Sequence, residues 1–194
     1  MGRSSRADAA LHREQIVTAT AQLLRERGSA GISVQDVMGA AGLSHGGFYK
    51  HFASKDELLG IATAAAFQSV LAQITDLVER EDAWDAFVTE YLSVEHRDAL
   101  GEGCANTALA AESARAEPDA PLRIAYSAGL ARMIEFLVGL QDLPVDQLEA
   151  RRRAVVDLST LVGALTMARA TGKAPLSKEI LDTVRNELTT RRKS

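Results

Sequence analysis

Three helix starts are crowded into residues 33–59, and this crowding constrains the fold more than any other part of the sequence. Ser33 with Asp36, and Ser54 with Glu57, have the capping-box form. In this form a hydroxyl accepts an exposed backbone N–H, and an acid three residues later bonds back to the chain. Each pair therefore predicts the first turn of a helix.

The third helix start lies between these two boxes. Gly42 ends one apolar-periodic segment, and Ser44 can cap a further helix that runs through Phe48 and Tyr49. The stretch therefore predicts a helix, a tight turn and a second helix.

The rest of the chain also favours an all-helical fold. Aromatic residues and Pro are scarce, the β-branched alternation expected of strands is hard to find, and apolar residues recur with helical spacing. The helix from Ser54 should reach Glu79, a span of about 24 residues, and Gly28 and Gly172 are predicted helix ends. Nine helices are predicted in all, starting near Leu11, Ser33, Ser44, Ser54, Trp84, Cys104, Leu122, Leu148 and Ser177.

Length and charge limit the possible functions. A chain of 194 residues fits one large domain or two small ones. The formal net charge of −4 argues by itself against a nucleic-acid binder, because Lys and Arg supply most of the affinity for phosphate. Residues 1–60, however, carry seven Lys or Arg against six acids, so the acidity lies in the C-terminal part. This distribution permits DNA binding without requiring it.

Cysteine usage and hydropathy predict the compartment. Cys104 is the only cysteine, which excludes an intramolecular disulfide, and no signal segment opens the chain. No apolar run approaches the roughly 18 residues of a membrane span. The sequence therefore predicts a cytoplasmic protein without a membrane anchor.

The run GLSHGGFYKHFASKDELL, preceded by SVQDVMGAA, resembles the N-terminal helix-turn-helix domain of TetR/AcrR-type transcriptional regulators. The likeness covers roughly residues 10–60. It rests on the spacing of Tyr49, Phe52, Lys55 and Leu58, which follow the turn signals in the family's order.

This resemblance implies an all-α fold of nine helices with two domains. Residues 1–53 would form a three-helix DNA-binding domain that begins with a flexible arm at residues 1–10, and residues 54–194 would bind ligand and dimerise. The implied partners are double-stranded operator DNA, an unidentified small-molecule effector and a second copy of the chain. No cofactor is expected.

The resemblance also implies a set of DNA contacts. Phosphate contacts are implied at Ser33, Tyr49 and Lys55, major-groove contacts at Ser44, His45 and Gly46, and additional contacts at Gln35 and His51. Gly46 and Gly47 would allow the backbone to approach DNA more closely than side chains would permit. Two glycines also cost a helix roughly 1 kcal/mol each relative to Ala, so a compensating role is expected. Phe48 and Phe52 are interpreted as core instead.

The aromatic residues of the C-terminal part are candidates for a ligand pocket, and the alternative for each is ordinary core. The predicted pocket residues are Phe67, Trp84, Phe87, Tyr91, Cys104, Tyr126, Met133 and Phe136. The nearest polar candidates are Asn106, Thr107, His96 and Arg132. These residues do not indicate one ligand chemistry.

Cys104 lies in GEGCANTALAAE, which resembles a subgroup of these regulators with a cysteine after glycine at the start of the sixth helix. A helix N-terminus favours the thiolate, so an electrophile or oxidant sensor is one interpretation. The alternative is a small buried residue, because free cysteines are usually buried and the chain has no resolving cysteine. One cysteine and scattered histidines do not predict a metal site.

Two apolar faces near the C-terminus suit helix packing across a two-fold axis, although single-chain core is the alternative. The predicted dimer residues are Leu158, Leu161, Val162, Leu165, Leu181, Val184 and Leu188. The resemblance favours the homodimer, which would bring two reading heads to half-sites about one DNA turn apart.

The leading hypothesis is a homodimeric repressor that leaves its operator when a small molecule occupies the C-terminal domain. The ligand would favour the DNA-incompetent state and act through the helix that starts at Ser54. An enzyme is disfavoured, because the sequence has no nucleophile with a base at useful spacing and no cofactor loop. A DNA-binding architectural protein that responds to no ligand is the remaining alternative.

Overall fold

The computed structural model describes residues 6–140 and 146–191. Within these ranges the chain is helical and has no strand, which confirms the predicted fold class. Two 3₁₀ helices, His45–Lys50 and Thr75–Glu79, lie among nine α-helices. The α-helices are α1 (Arg6–Arg27), α2 (Val34–Ala40), α3 (Lys55–Ile74), α4 (Ala83–Tyr91), α5 (Val94–Asp98), α6 (Ala105–Arg115), α7 (Pro121–Gly139), α8 (Gln147–Thr171) and α9 (Pro175–Thr190).

The caps of α2 and α3 form largely as predicted. Ser33 Oγ accepts the N–H of Asp36 at 3.1 Å, and an Asp36 carboxylate oxygen accepts the N–H of Ser33 at 2.8 Å. At α3, Ser54 Oγ accepts the N–H of Glu57 at 3.0 Å. The Glu57 carboxylate bonds back to the N–H of Ala53 at 2.6 Å, one residue before the predicted donor. The predicted helix ends at Gly28, Gly42 and Gly172 all have positive φ.

The predicted helix from Ser44 is a six-residue 3₁₀ helix, His45–Lys50. The side chain of Ser44 makes no capping hydrogen bond, which corrects the predicted role of its hydroxyl. Two consecutive glycines disfavour a longer α-helix, and short 3₁₀ helices are a common alternative. We call His45–Lys50 the reading helix.

Two further differences concern helix boundaries. The five-residue helix α5 was not predicted, because it has no room for apolar periodicity and depends on a cap in which Ser93 Oγ accepts the N–H of His96 at 3.0 Å. Residues 6–10 of the predicted arm belong to α1, where Asp8 in the first turn suits the helix dipole. Residues 1–5 of that arm lie outside the described residues.

The hydrophobic interior consists of two clusters that share α3. The first joins α1, α2, the reading helix and the first half of α3 to α6 and α7, and contains Ile16, Phe48, Leu58 and Leu109. The second joins the end of α3 to α4, α7, α8 and α9. Apolar packing is therefore continuous across the boundary predicted at residue 53, which stays a prediction.

Two glycines bring α3 and α7 close together. A Cβ on Gly60 would lie 2.6 Å from Cβ of Pro121, and a Cβ on Gly129 would lie 2.3 Å from the ring of Phe67. Side chains larger than hydrogen at either position would push the helices apart. This close contact fixes α3 firmly to the C-terminal part of the chain.

Two stretches, Lys55–Glu79 and Gln147–Thr171, are long and apolar enough to cross a membrane by length and composition. The sequence prediction that no run approaches this length was therefore wrong as stated. Both stretches contribute to the buried clusters described above. Core helices of globular proteins satisfy the same length and composition test, so the finding carries no argument for a membrane.

Candidate DNA-binding and effector sites

Most side chains predicted to contact DNA lie on the surface around the reading helix. Ser33, Gln35, Ser44, His45, Gly46 and Tyr49 are exposed, whereas His51 and Lys55 are half-buried. Tyr49 is 73% exposed, but the next ring in sequence, Phe48, is fully buried and meets it edge to face at 5.1 Å. The exposed ring of Tyr49 is therefore supported by a buried aromatic ring.

Packing within the chain does not explain the two glycines of the reading helix. A Cβ on Gly46 would meet nothing within 4 Å, and a Cβ on Gly47 would make an ordinary 3.5 Å contact with Met38. Both backbone conformations lie at negative φ, which other residues adopt freely. Steric crowding within the chain therefore does not explain why both residues are glycine. A partner molecule that approaches the backbone closely would explain it.

The structure revises the role predicted for Lys55. Its ammonium group donates to the carbonyl oxygen of Ser29 at 2.8 Å and to that of Ile32 at 2.6 Å. These bonds use two of the three N–H donors of Lys55 on the turn between α1 and α2. Lys55 is therefore a positioning residue for this turn, and a phosphate contact by its remaining donor stays a prediction.

His51 lies beside other groups that carry or can carry positive charge. Its ring meets that of His12 at 6.4 Å, and the guanidinium of Arg13 lies 5.1 Å above the Phe52 ring. Partial burial lowers the pKa of His51, and His12 and Arg13 lower it further. The lowered pKa favours the uncharged ring at neutral pH. A DNA contact by His51 stays a prediction.

A carboxylate of α6, like the ammonium group of Lys55, bonds to the turn between α1 and α2. The N–H of Ser29 donates to both carboxylate oxygens of Glu112, at 2.8 and 3.0 Å. A Cβ on Gly28, which has φ +71°, would lie 2.1 Å from one of these oxygens. Sequence reasoning missed Glu112, because 83 residues separate the two partners.

Cys104 is buried at the N-cap of α6 within a polar network. Its sulfur accepts the hydroxyl of Tyr91 at 2.9 Å and the N–H of Thr107 at 3.5 Å. Its own N–H donates to Nε2 of His96 at 2.9 Å, while Nδ1 of His96 lies 2.7 Å from the carbonyl oxygen of Tyr91. Since Nε2 accepts a hydrogen bond, Nδ1 must carry the proton and donate to Tyr91.

Two guanidinium groups lie within electrostatic reach of this network. Arg169 donates to the carbonyl oxygens of His96 at 3.0 Å and Arg97 at 3.1 Å. Burial lowers the pKa of Arg169, and Cys104 and Tyr91 oppose that shift. Burial likewise lowers the pKa of Arg25, with Glu102 and Cys104 opposing it. Arg25 of α1 and Arg169 of α8 therefore both interact electrostatically with the Cys104 side chain.

A partly open cavity of about 260 Å³ lies between α3, α4, α5 and the turn before α6. Of the predicted pocket residues, Phe87 and Tyr91 line it, together with the polar candidate His96. Sequence reasoning missed the other polar residues of its wall, which come from segments far apart in sequence. The full lining is Val70, Gln73, Ile74, Phe87, Glu90, Tyr91, Ser93, Glu95, His96, Ala99, Glu102 and Gly103.

The other six predicted pocket residues do not line this cavity. Trp84 donates from Nε1 to the carbonyl oxygen of Leu188 at 3.0 Å and so ties α4 to α9. Phe67 and Tyr126 pair at 5.6 Å in the first cluster. The remaining three, Cys104, Met133 and Phe136, lie in or against the second cluster.

Among the other polar candidates, Arg132 is exposed and lies off the cavity wall. Asn106 is buried, and neither its amide oxygen nor its amide nitrogen has a hydrogen-bond partner among the described residues. Within the same residues, no group of three or more His, Cys, Asp or Glu side chains could hold a metal ion.

The predicted dimer contacts need correction. Leu158, Leu161, Leu165, Leu181 and Leu188 are at most 3% exposed, because the packing of α8 and α9 within one chain already buries them. Val162 and Val184 are half-buried. The outward face of α8 instead presents Val156, Thr160, Gly163 and Met167, which are spaced by four, three and four residues. A period of this kind forms one stripe along a helix.

Comparisons with known proteins agree with this architecture. Residues 16–60 match the family of bacterial regulatory proteins described as tetR. An uncharacterised HTH-type transcriptional regulator of Mycobacterium tuberculosis is 29% identical over 168 residues, which cover 81% of this chain and 84% of that protein. HTH-type transcriptional regulator PksA of Bacillus subtilis is 36% identical over 69 residues, which cover 36% of this chain and only 34% of PksA.

The fold match extends along nearly the whole chain. The crystal structure of a TetR transcriptional regulator from Chloroflexus aurantiacus superposes with a TM-score of 0.77 and 27% identity, and 95% of each chain is covered. This family consists of DNA-binding transcriptional regulators, which are not enzymes. The matched helix-turn-helix segment and the whole-chain fold therefore support a TetR-type transcriptional regulator.

Proposed function

We propose that this protein is a cytoplasmic, homodimeric repressor that binds operator DNA through the reading helix and leaves it when a small molecule binds the C-terminal part. The observation that carries the proposal is the surface formed by Ser44, His45, Gly46 and Tyr49. These residues are exposed, and the fully buried Phe48 holds them in place. Their glycine-containing backbone is open to a partner.

The test of DNA recognition begins with genomic fragments captured by the purified protein. His45→Ala should reduce affinity for a captured site by about 5- to 100-fold and leave affinity for random DNA nearly unchanged, since base contacts carry sequence preference. Ser127→Ala, an exposed substitution on α7, is the control. Equal loss on captured and random DNA would contradict base reading by His45.

Dimerisation is assigned to the outward stripe of α8, rather than to the buried leucines. Gly163 has open space around the position of a Cβ, and Met167 is 53% exposed. A small residue flanked by apolar ones lets a second helix approach closely. Met167→Glu should give a monomer by light scattering at micromolar concentration, whereas Lys173→Glu, beyond the end of α8, should leave the dimer intact.

Release from DNA is assigned to α6, because its two ends touch different parts of the molecule. Cys104 caps its first turn and bonds to Tyr91, while Glu112, eight residues later, holds the N–H of Ser29 beside the DNA-binding helices. A shift of α6 along or about its axis would therefore move the turn that orients α2. A ligand need only bind the shifted state more tightly to lower DNA affinity.

Covalent modification of Cys104 is one way to shift α6. An electrophilic alkene can add the thiol, with a new S–C bond at one carbon and the thiol proton transferred to the other. The adduct would displace the Tyr91 hydroxyl from the sulfur and crowd a site that is 1% exposed. Treatment with N-ethylmaleimide should then modify Cys104 by mass spectrometry and weaken DNA binding, whereas Cys104→Ser should keep DNA binding and lose the response.

Unmodified Cys104, or an adduct with unchanged DNA affinity, would rule out this form of sensing. It would leave the repressor proposal to be judged by small molecules that bind without reaction. A protein whose DNA affinity responds to neither treatment would be a ligand-independent DNA binder.

A further inference from the structure

We propose that the cavity between α3, α4 and α5 accepts a small organic cation with an apolar or aromatic body. The inference rests on the proposed ligand response and adds the chemical class of the ligand. It starts from the lining, in which every residue with a full charge at neutral pH is a glutamate: Glu90, Glu95 and Glu102.

These three carboxylates are available to a ligand. All are exposed, and none is in an ion pair among the described residues. Glu90 and Glu95 lie on two different helices, α4 and α5, while Glu102 lies on the turn before α6. A cation in the cavity would therefore meet negative charge from more than one wall.

The uncharged part of the wall suits the body of such a ligand. Val70 and Ile74 of α3 supply aliphatic surface, and Phe87 and Tyr91 of α4 supply aromatic rings 5.6 Å apart. Aromatic faces attract ammonium groups, and burial of the apolar body adds affinity. Both contributions favour a hydrophobic amine or quaternary ammonium over a metal ion or an inorganic cation.

The nearby basic groups do not cancel this preference. His96 is neutral, because its two nitrogens are engaged as one acceptor and one donor, and burial lowers its pKa. Arg169 is absent from the lining and donates to two backbone carbonyls. Arg25 is also absent from the lining and is close enough to Glu102 to interact with it electrostatically. Glu102 is thus partly neutralised. Arg97 interacts electrostatically with Glu95, but its guanidinium group is already paired with Asp98 through two hydrogen bonds, so Glu90 and Glu95 should contribute most.

The cavity also borders the network that could transmit occupancy. Tyr91 forms part of its wall and donates its hydroxyl to Cys104 at the start of α6. A ligand that shifts the Tyr91 ring would disturb this bond and the cap of α6. The site is therefore placed to act on the same helix that holds Ser29 through Glu112.

The experiment compares three probes of similar shape and different charge: benzyltrimethylammonium, benzyl alcohol and phenylacetate. Binding to the full-length protein without DNA is measured by calorimetry and by fluorescence of Trp84, the only tryptophan, whose ring lies 6.3 Å from Phe87. We expect the cation to bind about tenfold or more tightly than either other probe, from the carboxylates and rings together.

Charge-neutralising variants test the site itself. The double variant Glu90→Gln/Glu95→Gln should weaken binding of the cation about tenfold and leave benzyl alcohol unchanged. Glu117→Gln, which removes an exposed carboxylate outside the cavity, is the matched control. Binding of the cation should weaken as the salt concentration is raised, and this salt dependence should be larger for the wild type than for the double variant.

Tighter binding of phenylacetate, equal binding of all three probes, or no binding of any probe would overturn the assignment. So would a double variant that binds the cation as well as wild type does. DNA affinity is measured separately with and without the probe. A cation that binds in this cavity without releasing DNA would uphold the site and contradict ligand-controlled repression instead.

Discussion

The surface around the reading helix and the interior around Cys104 use similar polar groups in opposite ways. Ser44 and His45 are exposed and Ser44 makes no capping bond, so their hydrogen-bonding groups face solvent. Around Cys104, by contrast, the hydroxyl of Tyr91, both ring nitrogens of His96 and the sulfur are bonded to one another or to backbone. An exposed group can exchange water for a partner at little cost, whereas a buried network changes only as a unit.

In the proposed function, this difference separates recognition of DNA from response to a ligand. An exposed reading surface would contact different DNA sequences without rearranging the fold. A ligand or a modification that breaks one bond of the buried network would leave other groups unsatisfied, and the network would rearrange. Helix α6 connects the two regions, because Cys104 caps its start and Glu112 accepts the N–H of Ser29 in the turn before α2.

The largest effect should come from the boundary between exposed and buried residues in the reading helix. Phe48→Ala should reduce the free energy of unfolding by about 3–5 kcal/mol, the usual cost of removing a buried aromatic ring. The adjacent substitution Tyr49→Ala should change it by less than about 0.5 kcal/mol while it lowers DNA affinity. Urea denaturation with anisotropy of labelled DNA measures both quantities.

A large stability loss in Tyr49→Ala would contradict the description of this ring as a free contact surface. Unchanged DNA affinity in a stable Tyr49→Ala protein would remove Tyr49 from the interface. Either result would weaken the contrast between the exposed surface and its buried base.

The next effect concerns the link between the two regions. Glu112→Ala should leave the N–H of Ser29 unpaired and cost about 1–3 kcal/mol, because the pair is partly buried. Hydrogen exchange of the Ser29 amide should accelerate, and DNA affinity should fall with it. Glu112→Gln keeps one acceptor and should recover part of the loss, while Glu117→Ala is the surface control. Unchanged hydrogen exchange at Ser29 would show that Glu112 of α6 does not stabilise the turn.

The cap of α2 and the helix end before the reading helix were predictable from sequence, because their signals are local. The capping box of Ser33 and Asp36 and the helix end at Gly42 are fixed by residues within a few positions of one another. Glu112 and Ser29, in contrast, meet only after α6 packs on α1. No spacing rule along the chain connects residues that far apart, and the cavity lining was missed for the same reason.

The burial of most of the predicted dimer residues within one chain has a different physical reason. Helix α8 has two apolar stripes, and periodicity alone does not show which one packs within the chain. The stripe that includes Leu158 and Leu161 packs on the chain's own core. The stripe that includes Gly163 and Met167 faces outward. Hydrophobicity therefore identified a helix that contributes to the core, but it did not show which of its two apolar stripes is left exposed.

Lys55 offers a test on the border between the two regions. Lys55→Met should lower the free energy of unfolding by about 1 kcal/mol, because the carbonyls of Ser29 and Ile32 lose a charged donor in a half-exposed setting. Lys50→Met, at an exposed position of the reading helix, should leave stability unchanged. If Lys50 contacts phosphate, its removal should also reduce the salt dependence of DNA binding by about one ion.

The opposite outcome for this pair would restore the sequence-based role of Lys55. A Lys55→Met protein of unchanged stability, with weaker binding to all DNA and a smaller salt slope, would make Lys55 a phosphate contact. The two hydrogen bonds to the turn would then be secondary.

The smallest effect should be the pH response of His96. Its folded-state pKa lies below the ordinary value of 6.5, mainly through burial and partly through Arg169, although the bond to Tyr91 opposes the shift. Below pH 6.5 the unfolded chain therefore binds more protons at this residue than the folded chain does, so stability falls as pH falls. His96→Gln should flatten the stability profile between pH 5 and 7 by less than about 1 kcal/mol. The remaining dependence of stability on pH should include a contribution from His51. The pKa of His51 is lowered chiefly by burial, and the His96 substitution does not change its surroundings. If His96→Gln left the profile unchanged, burial would not disfavour protonation of this imidazole, and the contrast between the two regions would not extend to protonation.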